Sequence, residues 1–531
     1  MQWNFLTKSD FKVAQTCPTK LYYRKKGYPT RDDHDEYTAV LADQGYLLEA
    51  FARALHADGQ WIGHESDVES AAWETMSAMT DACTLFEATF ISAGKLARVD
   101  ILVRRGNVIE LIEVKSKSFD RLQNDALIRA GKPNVFRAKS NPDEIDSSWR
   151  PYIEDVAFQV SVLQGVFPEA QIVPYLMLPD TSRTCLVDGL HSRFTLRVLP
   201  DQDSPATAPS ADYIGDPREI RRNPILAKVR VADEVNMVLS HVENRSAHYV
   251  EYLLPSLRRI VTPLSVHCKS CEYRVQEGAL RGFHECWKEL TDVEPGLLDI
   301  YRVRDLGSRK EDLANKLIAQ GKVNLADIPE TIFTRGKPRE GEVARRQRIQ
   351  ISHTRENTEW VSARLGDILG TLSYPLHFVD FETCAPAIPR YRGMRPYETV
   401  AFQWSCQSLR GPDAGPDSSE WLQPADVFPN VTFAETLRDQ LGIRGSILVW
   451  ANHEATVLRA IQRQLSERGE QGSELYHWLG NVLDSGRLVD LNQLVLKHYF
   501  HPRMGGSTSV KIVADAVWQA NPSIRARLPQ Y

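Results

Sequence analysis

Residues 99–118 read VDILVRRGNVIELIEVKSKS. Two apolar runs flank the basic turn Arg104-Arg105-Gly106-Asn107, the pattern of a β-hairpin. Side chains alternate across a strand, so Glu113 and Lys115 share one face and Val114 takes the other. If 97–103 pairs with 108–114, Asp100 comes close to Glu113. Two carboxylates held together repel unless a cation neutralises them, and magnesium, a hard ion that takes oxygen ligands, suits them. A lysine two residues on can polarise a water or stabilise charge on a phosphate. The competing reading is a surface hairpin with a cross-strand Glu–Lys pair.

The flanking segments weigh on that choice. Upstream, 36–56 repeats apolar residues at helical spacing and carries DQGYLLEAFA, with Glu49 on the face of Leu48 and Ala52. A strand over 84–91 completes a meander with the hairpin. Downstream, 151–166 predicts a helix with Pro151 in its first turn, and its EDVAFQVSVLQ places Gln159 on a mostly apolar face. A strand is expected over 172–178, a loop over 200–218, and two helices over 231–258. The start, 4–26, reads as one capped helix.

A helical acid, then Asp, then Glu-x-Lys, then a helix with Gln, resembles the PD-(D/E)XK nucleases, and more closely the RecB-like branch with the CRISPR-associated exonucleases. That resemblance implies Glu49, Asp100 and Glu113 as ligands of Mg2+ or Mn2+. It implies Asp100, Glu113 and Lys115 as catalytic, with Gln159 supporting the site or touching DNA. This chain departs from many relatives in having Glu49 in place of a His, and Leu163 where a Tyr follows the Gln.

Eight cysteines in a chain of this size do not suggest a disulfide framework. Cys268-x2-Cys271 in VHCKSCEYR and Cys286 in GFHECWKE form a close trio. Bare spacing favours zinc, with His267 or His284 as the fourth ligand. The resemblance points elsewhere. RecB-like nucleases with one cysteine before the core and three after it carry an iron–sulfur staple, and Cys17 in CPTKLYY has that family's context. It implies a 4Fe–4S cluster on Cys17, Cys268, Cys271 and Cys286, with a structural role and with zinc as the alternative.

From 374 the texture changes. LHFVDFETCAPAIPRY sets Asp380 and Glu382 on one face of a strand and Phe381 on the other. YETVAFQWSCQ reads as a second strand, and ILVWANHEATVL as a strand–Asn–helix step with Glu454 where an Asp is usual. Helices are expected over 453–468, 490–499 and 509–519. This text resembles the DEDD exonucleases of the RNase H-like fold, whose acids hold two magnesium ions. The whole chain is similar to a bacterial family of unknown function that joins a RecB-like half to such a half. Asp490 is not counted as a ligand. With no late catalytic Asp after the SVK segment, this domain reads as C-terminally incomplete and weak in catalysis.

The expected fold class is therefore α/β: a PD-(D/E)XK restriction-endonuclease-like core with helical cluster-binding elements, followed by an RNase H-like α/β domain. The expected domains are 1–290 (nuclease with staple), 291–365 (helical connector) and 366–531 (RNase H-like). Net charge is −5, so nothing global announces nucleic acid, but local basic runs occur at 21–28, 255–260 and 335–348. The chain lacks an apolar run long enough to span a membrane and has no signal-peptide pattern at its start, so a cytoplasmic protein is expected. The expected activity is metal-dependent hydrolysis of DNA, exonucleolytic on single strands or ends, in repair or phage defence. The alternatives are a non-catalytic nucleic-acid-binding module and an RNA-directed nuclease acting through the C-terminal domain. No P-loop is present, so unwinding would fall to a helicase or defence-complex partner.

Overall fold

The computed structural model describes residues 5–31, 36–56, 58–62, 67–197, 210–307, 312–329, 331–334 and 341–527. It is mixed α/β and divides into two compact units, one of Met1–Thr262 with Ala385–Glu398, the other of Pro263–Cys384 with Thr399–Tyr531. These units do not coincide with 1–290, 291–365 and 366–531. Among the described residues no helix is long and apolar enough to cross a membrane.

In the first unit, β1 (Leu6–Thr7) runs straight into α1 (Lys8–Thr16). The Thr7 hydroxyl accepts from the Asp10 amide at 3.1 Å, and the Asp10 carboxylate accepts from the Thr7 amide at 2.9 Å, a reciprocal cap. The single helix expected over 4–26 is in fact two. Pro18 has no amide hydrogen to continue the ladder, so α1 ends at Cys17 and α2 (Thr19–Lys25) starts anew. There follow α3 (Glu36–Ala54), β2 (Gln60–Trp61), α4 (Val68–Ala78), β3 (Ala82–Ser92), β4 (Lys95–Arg105) and β5 (Val108–Val114). Then come α5 (Arg121–Arg129), α6 (Arg150–Val166), β6 (Gln171–Pro179), β7 (Phe194–Arg197), β8 (Ser210–Tyr213), α7 (Pro217–Arg222), β9 (Leu226–Arg230) and α8 (Ala232–Leu253). The loop expected over 200–218 lies partly outside the described residues, and its described part holds β8 and the start of α7. The two helices expected over 231–258 are one, because no Gly or Pro interrupts Ala232–Leu253.

The main sheet runs β2-β3-β4-β5-β6-β9, with β1 added beside β4. β3, β4 and β5 form the antiparallel meander, and β6 lies parallel to β5, reached through α6. One face packs Val99, Leu111 and Leu102 under α1, α6 and α8 through Phe11, Phe158 and Val242. The other packs Ile101, Val103, Ile112 and Val114 against Leu48 and Phe51 of α3. Strict alternation breaks in the middle of β4. Ala97 and Val99 serve the first core, but Ile101 and Val103, of the same parity, serve the second. The switch falls at Asp100 and, across the ladder, at Glu87, which has φ +57°.

The second unit begins with a helical part: α9 (Gly282–Trp287), α10 (Leu313–Ala319), α11 (Thr331–Thr334) and α12 (Glu342–Glu356). Leu297, Ile300, Val303, Leu317, Ile328 and Ile351 share one core with Phe283 and Trp287, so the described part of 291–365 carries packed structure of this unit. Next are β10 (Trp360–Val361), α13 (Arg364–Gly370), β11 (Leu376–Cys384), β12 (Val400–Leu409), β13 (Asp417–Leu422), α14 (Asn430–Leu441) and β14 (Ser446–Val449). They are followed by α15 (His453–Glu467), α16 (Glu474–Asp484), β15 (Leu488–Asp490), α17 (Leu491–His498), β16 (Tyr499–Phe500), α18 (Val510–Ala520) and α19 (Pro522–Arg527). The five-stranded sheet has the order β13-β12-β11-β14-β15, antiparallel through the first three strands and parallel through the last three. Phe381, Trp404, Phe433, Ile461 and Trp478 fill the core between its covered face and α14, α15 and α16.

Candidate functional site

The ladder between β4 and β5 ends at Ile101–Ile112, which leaves Asp100 and Glu113 as the next facing pair at a fork. Beyond the fork β4 stays with β3, while β5 stays with β6. The Val114 amide closes the gap by donating to Asp100 Oδ2 at 2.8 Å. β1 pairs with β4 on the far side of the fork, Leu6 to Lys95, and so delivers Lys8 into the opening.

Three side chains converge on Glu113, which is fully buried. Gln159 Nε2 donates to its Oε2 at 2.6 Å. Lys115 Nζ stands 2.7 Å from its Oε1 and 3.0 Å from Asp155 Oδ2. Lys8 Nζ also bonds Oε1 and lies 3.9 Å from Asp100 Oδ1. Burial alone would raise the Glu113 carboxyl, but the Lys115 and Lys8 charges bring it down to about 2. Burial likewise opposes the charge on Lys115, yet Glu113 and Asp155 hold it above the ordinary lysine range.

The remaining acids are not neutralised in this way. Burial and the Glu113 charge push Asp100 up to about 6. Burial and Asp100 push Glu87 up to about 7. Glu49, on α3, is pushed up to about 8 by burial, Asp100 and Glu87, with Arg53 Nη1 at 4.0 Å giving partial relief. A set of carboxylates that the protein's own cations leave under-compensated, with only oxygen donors, fits a hard divalent ion. Gln159 adds a second sign, since its Oε1 is buried without a hydrogen-bond partner. Among the described residues no three or more His, Cys, Asp or Glu side chains are gathered closely enough to hold a metal ion as they stand, and Lys8 and Lys115 occupy the space between the acids.

The expected residues Asp100, Glu113, Lys115 and Gln159 are thus brought together, with Glu49 near enough to Asp100 to feel its charge. Leu163 lies fully buried in the core. Four members were not anticipated: Lys8, Glu87, Asp155 and Arg53. Glu87 had one visible signal, a lone carboxylate inside the apolar run TLFEATFIS. Asp155 sits one helical turn before Gln159 and could have been found by the same periodicity.

A second group of acids lies in the second unit. Asp380 and Glu382 share the exposed face of β11. Glu454 enters α15 in its first turn, is 3% exposed, and has a buried Oε2 without a hydrogen-bond partner. Burial, then Asp380 and Asp490, push its carboxyl up to about 7. Asp490 ends β15 and accepts from the Ala451 and Gln493 amides, both at 3.1 Å. Asp490 therefore belongs with Asp380 and Glu454, although it was not counted among them from the sequence.

The cysteines divide between the units. Cys17 caps α1 in the first. Cys268, Cys271 and Cys286 edge a single core in the second, where the Cys271 amide donates to the Cys268 carbonyl at 3.2 Å. Two residues past Cys271, the Tyr273 carbonyl accepts from the Phe283 amide of α9 at 3.1 Å. His284 Nδ1 is buried there without a hydrogen-bond partner. None of the eight cysteines is in a disulfide. The three half-buried thiols edge one small core, but among the described residues they are not gathered closely enough to hold a metal as they stand.

The family model of a domain of unknown function, DUF2779, matches residues 377–509. The match holds Asp380, Glu382, Glu454 and Asp490. No curated protein matches the chain.

Proposed function

We propose that the chain is a metal-dependent nuclease that hydrolyses phosphodiester bonds in DNA, with its principal centre at the β4–β5 fork. The observation that carries this reading is the set of contacts on Glu113: Asp100 facing it, Lys115 at 2.7 Å and Gln159 at 2.6 Å. On this reading the first unit is a PD-(D/E)XK-like core, and the second, with its β13-β12-β11-β14-β15 order, is RNase H-like.

Glu49, Asp100 and Glu113 would hold Mg2+ or Mn2+, with Glu87 beside them. When bound, the cation supplies a Lewis acid that activates water and offsets charge on the phosphate. Gln159 fixes the orientation of Glu113 by engaging one carboxylate oxygen. Asp155 holds the Lys115 ammonium protonated and aimed at the fork, where it meets charge developing on a phosphate oxygen. Asp100→Asn and Lys115→Ala should each lower metal-dependent cleavage of labelled DNA by about two to four orders of magnitude while circular dichroism stays unchanged. Retained cleavage in both folded variants refutes this centre.

A second reading places hydrolysis, of RNA, at Asp380, Glu382, Glu454 and Asp490, favoured by the unpartnered buried oxygen of Glu454. RNA digestion that survives Asp100→Asn and is lost in Asp380→Asn would select it. The cysteines Cys17, Cys268, Cys271 and Cys286 are proposed to hold a 4Fe–4S cluster, with zinc as the alternative. Anaerobic purification followed by absorption spectra and iron and zinc analysis separates the two.

A further inference from the structure

A cavity of about 440 Å3 in the second unit is lined by Arg302, Arg345, Arg346, Arg364, Lys497 and His498. Among the described residues Glu342 is the one carboxylate in that lining. It pairs with Lys497 at 3.4 Å, and Asp305 pairs with Arg302 at 2.7 Å. Arg346 is 4% exposed and bonds the Val495, Leu496 and Tyr499 carbonyls at the end of α17. Among the described residues no carboxylate pairs with Arg345, which lies over the Trp360 ring at 5.6 Å, or with Arg364. Gathering these charges is unfavourable without an anion among them.

Two further observations point the same way. Burial with the charges of Arg345, Lys497 and Arg364 holds His498, another residue of the lining, below its ordinary value. Arg302 has φ +48°, a strained conformation for a side chain of this kind, and such strain concentrates at binding and catalytic sites.

α17 links this cavity to the second group of acids. Asp490 is its N-cap, Gln493 lines the cavity, and Lys497 and His498 end the helix inside it. The helix is about 12 Å long, a span of a few nucleotides. We propose that the cavity is a phosphate subsite for a nucleic-acid strand whose backbone follows α17 towards Asp380, Glu454 and Asp490. The inference rests on nucleic acid as the substrate class, but it needs no cleavage at either group of acids.

The test is binding of a fluorescein-labelled single-stranded DNA to the full chain, followed by anisotropy in EDTA, which suspends cleavage. Arg345→Gln with Arg364→Gln should weaken binding at least about tenfold and reduce the log–log salt slope by about 1.4, two phosphate contacts' worth. Thermal melting checks that the variant is folded, and Lys497→Gln serves as the milder second variant. Unchanged affinity and slope in folded variants overturn the proposal, as does failure of the wild-type chain to bind the strand. Displacement by dAMP or inorganic phosphate at this cavity, with strand affinity independent of Arg345 and Arg364, assigns it to a free phosphate ligand and also overturns the strand reading. A strand that binds through these arginines but is never cut with added metal supports the subsite and refutes the hydrolytic reading alone.

Discussion

Glu87 shows how one residue shapes the centre. It faces Asp100 across the β3–β4 ladder and holds φ +57°, a conformation glutamate rarely adopts. Both the backbone strain and the half-buried charge cost stability in the metal-free chain. Glu87→Asn removes the charge and suits a positive φ better, so urea unfolding without metal should show a gain of about 1 kcal/mol. The same variant should bind Mn2+ more weakly, and a stability loss would contradict this account. The acids also set a pH dependence. Glu49, Glu87 and Asp100 have folded values raised to about 8, about 7 and about 6, so between their unfolded range and those values the folded state binds more protons. Their contribution to stability is therefore full below about pH 4 and is lost as pH rises towards about 8. Metal-free melting temperature should fall over that interval, and Glu49→Gln should flatten the fall. A steeper dependence in the variant would refute the assignment. At this scale the sequence was partly legible. Strand alternation exposed Glu113 and Lys115, and the helical face exposed Gln159. Lys8, 105 positions from Glu113, could not be read, because only the insertion of β1 beside β4 brings it there.

Among elements, α12 shows how a charged helix of the expected 291–365 connector is packed. Its polar residues point inward. Gln350 accepts from the Tyr301 amide at 2.9 Å and donates to the Asp299 carbonyl at 3.0 Å, while Gln347 donates to the Tyr301 carbonyl at 2.8 Å. Both glutamines are fully buried. Hydrophobic periodicity cannot flag a helix that docks through amides. Gln350→Leu would leave an amide and a carbonyl buried without partners, and denaturant melts should show a loss of about 2 kcal/mol in the second unit. Gly506 is subject to the same packing, since a Cβ there would meet the Asp299 carbonyl at 2.1 Å. The hairpin was readable because its turn and alternation are local. The fork was not, because it depends on which neighbour each strand keeps after Ile101 and Ile112. α14 and α16 escaped notice, although each buries an apolar stripe against the five-stranded sheet.

On the scale of the whole molecule, composition and texture separated an acid-bearing hairpin region from a later strand-rich region, and both are present. The expected boundary at 290 falls inside the second unit, since packing divides the chain after Thr262. The chain also re-enters the first unit at Ala385–Glu398, the connection between β11 and β12. There Ala387 and Ile388 join the core on the α3 face, and Gly393 and Met394 exchange backbone hydrogen bonds with Cys185, both at 2.7 Å. Nothing in PAIPRYRGMRP signals this, since a Pro- and Arg-rich loop normally reads as solvated surface. Replacing 385–398 by a Gly-Ser linker should therefore lower the melting temperature of the first unit, read by hydrogen exchange in β5 and α3. Unchanged protection there would contradict the assignment. The re-entry also bears on inheritance. A gene split anywhere between the two units would leave part of one product's interior encoded in the other. The halves are therefore not free to be shuffled separately, and selection on the β11–β12 connection is in part selection on the first unit's core.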